Sequence, residues 1–146
     1  MDIERLKEEI KADEGVKLAD NGNHLIYLDH LGYPTVGVGH LIKETDPEYG
    51  LEVGTQIDEE RVNELFEQDL NVTIDECITL YDDFYVLPEE AQLIIANMMF
   101  NLGRPRLAKF KKMKEAVDNR DWQEASNQMK DSKWYRQVIF KSCSNS

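Results

Sequence analysis

The sequence has few cysteines, few prolines and no long apolar segment, and each of these shortages excludes a class of protein. Two cysteines, Cys77 and Cys143, are too few for a disulfide framework, and four prolines exclude proline-rich and collagen-like chains. No apolar run reaches the length of a transmembrane helix, and the charged first residues lack the apolar segment of a secretory signal. We therefore expect a chain that is made in the cytoplasm and does not insert stably into a membrane, with Cys77 as a small buried apolar side chain.

The sequence does contain enough apolar residues for one domain with a packed core. Of its 146 residues, 41% are hydrophobic. Its charge is unevenly distributed, because residues 1–90 carry 6 Lys and Arg against 24 Asp and Glu, whereas residues 91–146 carry 11 against 5. The net charge of −12 therefore conceals a basic C-terminal part that is able to meet an anionic partner.

The first third of the chain has the pattern of a helix followed by a small sheet. Apolar residues three and four apart predict a helix over residues 2–13. A turn signal then precedes a predicted strand over residues 25–28. Residues 35–41 alternate and predict a second strand, with Val36, Val38 and His40 on one face and glycines that allow a close approach to the backbone.

From residue 58 onward the pattern is helical. Asp58 suits the N-cap of a long helix over roughly residues 59–80, and Pro88 suits the start of another helix that stops at Gly103. Later apolar stripes predict one helix from residue 107 to 117 and another around residues 122–129. A small β region bracketed by helices indicates an α+β fold in which helices dominate.

Two segments bear chemically active side chains. One is Asp-Glu-Gly at residues 13–15, at the end of the first helix. The other is Tyr-Leu-Asp-His-Leu-Gly-Tyr-Pro-Thr-Val-Gly-Val-Gly-His-Leu at residues 27–41. Each is weakly informative alone, since a carboxylate at a helix end or in a turn is most often simply solvated. Together they resemble the active-site signature of the T-even phage lysozymes, glycoside hydrolase family 24, and the resemblance extends in order over residues 3–137.

This resemblance implies a fold, a reaction and a set of roles. The implied lysozyme-like fold has a β-containing lobe over residues 15–58, an interlobe helix over 59–80, and a helical lobe over 81–146 on which the helix at 2–13 packs. The implied reaction is hydrolysis of the β-1,4 bond between N-acetylmuramic acid and N-acetylglucosamine in bacterial peptidoglycan. Such a reaction needs an acid for the leaving oxygen and a second group that acts on the opposite face of the sugar. The implied roles are Glu14 as general acid, Asp29 and Thr35 as the residues that position the water, and Leu41, Phe100 and Gln128 as substrate contacts.

The resemblance also implies the protein's surroundings. We expect a monomer that acts on the cell wall after release from the host bacterial cytoplasm across the inner membrane, with a holin as the partner that permits release. No cofactor is expected, and the three histidines lack the spacing of metal ligands. We also hypothesise that His40 pairs with Asp69 across the two lobes, as a strand-end histidine facing a helix carboxylate.

A basic cluster and an atypical C-terminus leave alternatives open. Seven cations fall within residues 104–120. They form either a solvated helix face or a landing surface for the anionic cell wall, and nucleic acid is the poorer partner because residues 1–90 would repel phosphates. After Trp134-Tyr135 the sequence departs from the family's pattern, so we expect the family's final helix to be missing, with Arg136 as a candidate to replace the basic residue expected near the catalytic glutamate. The alternatives to an active endolysin are an inactive glycan-binding relative, a tail-associated lysozyme and a generic helical interaction protein.

Overall fold

A helix begins the chain, five short strands follow, and helices form most of the remainder. The structure, a computed structural model, describes residues 1–14, 16–130, 132 and 134. Gly15, Cys143 and the candidate basic residue Arg136 lie outside these described residues. The α-helices of the described residues are α1 (Ile3–Asp13), α2 (Glu59–Leu80), α3 (Glu89–Leu102), α4 (Arg104–Leu107), α5 (Lys111–Asp118) and α6 (Trp122–Gln128), with a 3-10 turn at Phe84–Val86. The strands are β1 (His24–Leu25), β2 (Tyr27–Leu28), β3 (Pro34–Val36), β4 (His40–Leu41) and β5 (Gln56–Ile57).

The first three helices lie where the apolar periodicity and the capping residues predict them. Leu6 and Ile10 of α1 are fully buried, as expected for the apolar stripe of an amphipathic helix. Asp58 accepts a hydrogen bond from the backbone N–H of Arg61 at 2.8 Å, so its predicted role as N-cap of α2 is confirmed. Helix α3 ends at Gly103, whose φ of +78° is a conformation that favours glycine. The predicted α+β class is also confirmed.

The predicted single strand over residues 35–41 is wrong. The chain forms β3, turns at residues 37–39 and returns as β4, with Val36 paired to His40. Gly37 and Gly39 have φ values of +66° and +68°, and this left-handed conformation bends the chain out of the extended form. Gly37 also lies against α2, because a Cβ on it would be 2.6 Å from Val62 Cγ1. The two glycines therefore make the turn that aligns β2, β3 and β4 in one antiparallel sheet.

The predicted helix over residues 107–117 is likewise corrected to two helices. Helix α4 ends at Leu107, and α5 begins only at Lys111. Phe110, with a ψ of +58°, leaves the helical conformation between them. Leu107, Met113 and Val117 are nevertheless all buried, so the apolar stripe correctly identified core residues while the chain between them turned.

The described chain divides into two compact units. One is Lys7–Asn71, and the other combines Met1–Leu6 with the described residues from Val72 onward. The first unit holds all five strands around an apolar cluster. The second holds the core of α3 and the helices after it, and Cys77 is buried there as predicted. The members of the apolar cluster in the first unit are Ile26, Val36, Ile42, Ile57, Val62 and Leu65.

No helix of the described residues is long and apolar enough to cross a membrane.

Candidate active site

Glu14 is held at the end of α1, against the turn between β3 and β4. Its backbone N–H donates to the carbonyls of Ile10 at 3.2 Å and Lys11 at 3.3 Å, so the residue continues the hydrogen-bonding pattern of the helix. Its half-buried carboxylate lies close to Gly39, where a Cβ would be 3.1 Å from Oε2 and 3.4 Å from Oε1. Contacts this short are rare for a real Cβ. A glycine at position 39 is therefore what lets the backbone approach the carboxylate so closely.

Asp29 is fixed by the turn that joins β2 to β3. Its Oδ1 accepts the backbone N–H groups of Leu31 and Tyr33, both at 2.9 Å, in the manner of an aspartate that organises its own turn. The hydrogen bond from Tyr33 is the largest cause that holds the pKa of Asp29 below its ordinary value; desolvation opposes it, and the hydrogen bond from Leu31 acts in the same direction as that from Tyr33. Asp29 is therefore ionised at neutral pH, and its Oδ2 has no hydrogen-bond partner among the described residues.

Three site residues stand side by side across the sheet. Thr35 of β3 is paired with Tyr27 on one side and with Leu41 on the other. Directly opposed residues of antiparallel strands point to the same face, with Cβ atoms about 4.5–5.5 Å apart. Thr35 is buried, and its hydroxyl donates to the carbonyl of Tyr33 at 2.9 Å, which leaves its oxygen lone pairs to accept. Leu41 is 45% exposed, so it offers an apolar contact at the open edge of this row.

Tyr27 interacts electrostatically with the carboxylates of both Glu14 and Asp29. Burial raises the pKa of the Tyr27 hydroxyl, and the negative charges of Glu14 and Asp29 each raise it further. One phenol therefore lies within electrostatic range of both side chains, although they are 15 residues apart in sequence. The sequence argument placed Tyr27 in the motif without giving it a role. Tyr27 lies in the predicted strand over residues 25–28, and Thr35 begins the next predicted strand. Pairing of these two strands is the signal that would have selected Tyr27.

His40 anchors the residue that follows Gly39. Its Nδ1 lies 2.8 Å from Asp69 Oδ2, and its Nε2 lies 2.8 Å from Asp46 Oδ2. The predicted contact with Asp69 is confirmed, and both residues belong to the unit Lys7–Asn71. Burial alone would lower the pKa of His40, and the hydrogen bonds to the two carboxylates outweigh it and raise the pKa. Asp46 was missed, because nothing in the sequence marks a loop carboxylate as the second partner of a histidine.

The other two predicted substrate contacts belong to the second unit. Phe100 lies near the end of α3 and is half-buried. Gln128 is the last residue of α6 and donates from Nε2 to Glu124 Oε1 at 2.6 Å. The structure thus groups Glu14, Asp29, Thr35 and Leu41 in one unit, and it places Phe100 and Gln128 in the other.

Comparison with known proteins identifies the family. The sequence profile of the phage lysozyme family matches residues 14–140, a range that includes every predicted site residue. The chain belongs to the phage lysozyme family. Among its relatives is Probable T4-type lysozyme 2 of Dictyostelium discoideum, which is 30% identical over 93% of this chain and 88% of that protein.

Two further relatives of this phage lysozyme family member are longer proteins from phages. The pre-baseplate central spike protein Gp5 of Enterobacteria phage T4 is 26% identical over 91% of this chain and 25% of that protein. Peptidoglycan hydrolase gp36 of Pseudomonas phage phiKMV is 28% identical over 77% of this chain and 12% of that protein. Family membership makes this chain a lysozyme-like, glycosidase-type hydrolase.

Proposed function

We propose that this chain is a muramidase that cleaves the β-1,4 bond between N-acetylmuramic acid and N-acetylglucosamine in peptidoglycan. One observation carries the proposal: two carboxylates in different environments, Glu14 against Gly39 and Asp29 in its turn, share Tyr27 as an electrostatic neighbour. Glycoside hydrolysis uses a pair of carboxyl groups with separate roles. The relative named a peptidoglycan hydrolase supports peptidoglycan as the substrate class.

Glu14 is the residue that we assign as general acid. Its carboxyl group is half-buried and is packed against backbone, so it presents its proton in one place. In the proposed reaction Glu14 transfers that proton to the glycosidic oxygen while the bond from this oxygen to the anomeric carbon breaks. Glu14 is left as a carboxylate, and the leaving sugar departs with a hydroxyl group.

Asp29 and Thr35 are the residues that we assign to the water. Asp29 is ionised and its Oδ2 faces no other described partner, so this oxygen is able to accept a proton from water. Thr35 Oγ1 donates a hydrogen bond to the carbonyl of Tyr33 and accepts a hydrogen bond from the second O–H of the water, without taking its proton. The water attacks the anomeric carbon from the face opposite the leaving group, and its proton passes to Asp29. Direct attack of this kind inverts the anomeric configuration.

The deciding experiment compares Glu14→Gln with a matched variant in clearing a suspension of purified peptidoglycan. Glu8→Gln is the control, because it makes the same chemical change at an exposed residue of α1. We expect clearing by the unchanged chain and by Glu8→Gln. Glu14→Gln should lose at least a hundredfold in rate, the scale on which general acids contribute. Circular dichroism of all three establishes that each is folded.

The outcomes separate the competing functions. A folded chain that binds peptidoglycan without clearing it would be the inactive glycan-binding relative, and the hydrolase proposal would be wrong. Equal activity of Glu14→Gln and Glu8→Gln would remove Glu14 as the acid. NMR of the first-formed reducing end should show the α-anomer, and a β-anomer would contradict the direct attack by water.

A second setting for the same chemistry is favoured by the match to the phage T4 spike protein. In that setting the hydrolase would travel with the virion and act at infection. Both settings include the proposal that the gene lies in a phage genome, and mass spectrometry of purified virions of that phage distinguishes them. Detection in stoichiometric amount supports a tail-associated lysozyme, and its absence from virions but abundance in lysates supports an endolysin.

A further inference from the structure

A run of exposed cations lies on α4, α5 and the residues between them. We call it the α4–α5 cation surface, and its members are exposed and have no side-chain hydrogen bond or ion pair with any described residue. Between residues 91 and 114 the sequence has no Asp or Glu, and Glu115, the next carboxylate along the chain, forms no ion pair with them in the part of the chain that the structure describes. The members are Arg104, Arg106, Lys109, Lys111 and Lys112.

Two cations of the same cluster are neutralised, which shows that pairing is available nearby. Lys114 bonds Asp118 at 2.7 Å and lies over the ring of Tyr81. Arg120 bonds Asp83 at 2.6 Å. The cluster of seven therefore contains two paired cations and five that have no partner among the residues that the structure describes.

Helix stability does not account for the cations of the α4–α5 cation surface. Lys111 and Lys112 occupy the first turn of α5, where the helix dipole disfavours positive charge. Cations at residues 104, 106 and 109 add mutual repulsion over a short stretch. These charges cost stability in the free protein, and an anionic partner would remove that cost.

A surface hollow places part of this charge next to a predicted substrate contact. The hollow has a volume of about 410 Å³, and Lys109, Lys111, Lys112, Phe110 and Gln128 are among its lining residues. Lys112 also borders a second hollow that contains Glu115 and Glu124. Lys109 and Lys111 are consequently the cations of the hollow that are free of this acidic border.

We propose that the α4–α5 cation surface binds a phosphodiester polymer attached to the bacterial cell wall, of the poly(glycerol phosphate) type. Five cations within nine residues match a polymer that carries one charge in each short repeat. The carboxylates of peptidoglycan peptides are sparser, being limited to the peptide of each disaccharide. A stiff nucleic-acid duplex would also present its phosphates to the rest of a chain whose net charge is −12, whereas a flexible single polymer is able to follow the basic surface alone. This binding does not depend on hydrolysis by Glu14.

The test measures co-sedimentation with purified walls that retain the phosphate polymer and with the same walls after acid removal of it. All proteins carry Glu14→Gln, so hydrolysis does not release them. The test variant is Lys109→Gln with Lys111→Gln, and the matched control is Lys114→Gln with Arg120→Gln. Both pairs remove two positive charges, but the cations of the control pair bond carboxylates, whereas those of the test pair bond none in the described part of the chain. Thermal unfolding followed by circular dichroism checks that each variant is folded.

We expect binding to intact walls that weakens with salt and is largely lost on stripped walls. The test pair should weaken it on the order of tenfold and lower the slope of log affinity against log salt by about 1.4, the value for two phosphate contacts on a flexible strand. The control pair should change binding less than twofold.

Three results would overturn the proposal. Equal losses in the two pairs would mean that net charge alone governs binding. Undiminished binding to walls without the phosphate polymer would mean that the surface binds peptidoglycan carboxylates instead. Tighter binding to a duplex oligonucleotide than to soluble poly(glycerol phosphate) would make the surface a nucleic-acid site.

Discussion

Replacing Asp46 by Asn tests how the protein holds the chain beside its proposed acid. The substitution keeps the shape of the side chain and removes the charge that faces His40 Nε2 at 2.8 Å. A hydrogen bond to a charged group contributes about 1.5–3 kcal/mol. The His40 side chain is only 5% exposed and that of Asp46 only 12%, so solvent screens the pair little. We therefore expect Asp46→Asn to lower the free energy of unfolding by about 2 kcal/mol.

The pH dependence of this loss follows from the two titrations. The pKa of His40 is raised above 6.5, so its contribution is fully present below that pH and is lost as the pH rises through the folded pKa. Burial opposes ionisation of Asp46, but its hydrogen bonds to Lys43 and His40 hold its pKa below 3.8. Its contribution is therefore present above that value and is lost as the pH falls through the folded pKa. The largest effect of the substitution is expected between about pH 4 and 6.5.

Urea unfolding followed by circular dichroism at pH 5.5 and pH 9 measures the effect. We expect the gap between the unchanged chain and Asp46→Asn to be about 2 kcal/mol at pH 5.5, a fall in Tm of about 4–8 °C, and to shrink at pH 9. Glu44→Gln, a charge removal at an exposed loop residue two positions away, should leave stability nearly unchanged. An equal gap at both pH values, or an NMR pKa of His40 at or below 6.5, would refute the reasoning.

Two further substitutions test the glycine beside Glu14 and the buried ion pair. Gly39→Ala is compared with Gly50→Ala as its control, because both place an alanine at a positive φ, +68° and +86° respectively, with a strain of about 1–2 kcal/mol in each. Only Gly39 lies against the Glu14 carboxylate, so we expect the rate of peptidoglycan clearing to fall roughly tenfold to a hundredfold for Gly39→Ala alone. An equal loss of activity in both variants would mean that backbone strain is the cause. Arg61→Leu leaves the buried Glu48 carboxylate without its two bonds of 2.9 and 3.0 Å and should cost about 3 kcal/mol in urea unfolding. Adding Glu48→Gln should restore part of that loss, and a double variant no more stable than Arg61→Leu would show that the lost charge pairing is not the reason.

The helices were predictable because their information is local. A stripe of apolar residues, an N-cap such as Asp58 and a stop such as Gly103 each act within a few residues along the chain. The bounds of α2 and α3 follow from these signals. The prediction of one strand over residues 35–41 was wrong because an alternating pattern of residue types does not determine the backbone φ of the glycines within it. Gly37 allows an extended strand and a left-handed turn alike, and only the folded chain shows that it lies too close to Val62 of α2 to carry a side chain.

The candidate site shows the same division. Glu14, Asp29 and Thr35 were identified from their motifs, and family membership agrees with that identification without testing their roles. The close approach of Gly39 to Glu14 depends on a turn and a helix end that meet only in the folded chain. The partner of His40 at position 46 depends on a loop that has no pattern of its own.

By itself the sequence determined the family, the helical segments, the uneven charge and the residue types that the reaction needs, since all of these are properties of composition and short-range order. The tertiary structure decided which charges are paired. Arg120 and Lys111 belong to one basic run in the sequence, yet Arg120 bonds Asp83, 37 residues away in the chain, whereas Lys111 has no carboxylate partner among the described residues. It also decided which backbone lies against the Glu14 carboxylate. Pairing and close approach are distances between atoms, and distances between residues far apart in the chain exist only once it has folded.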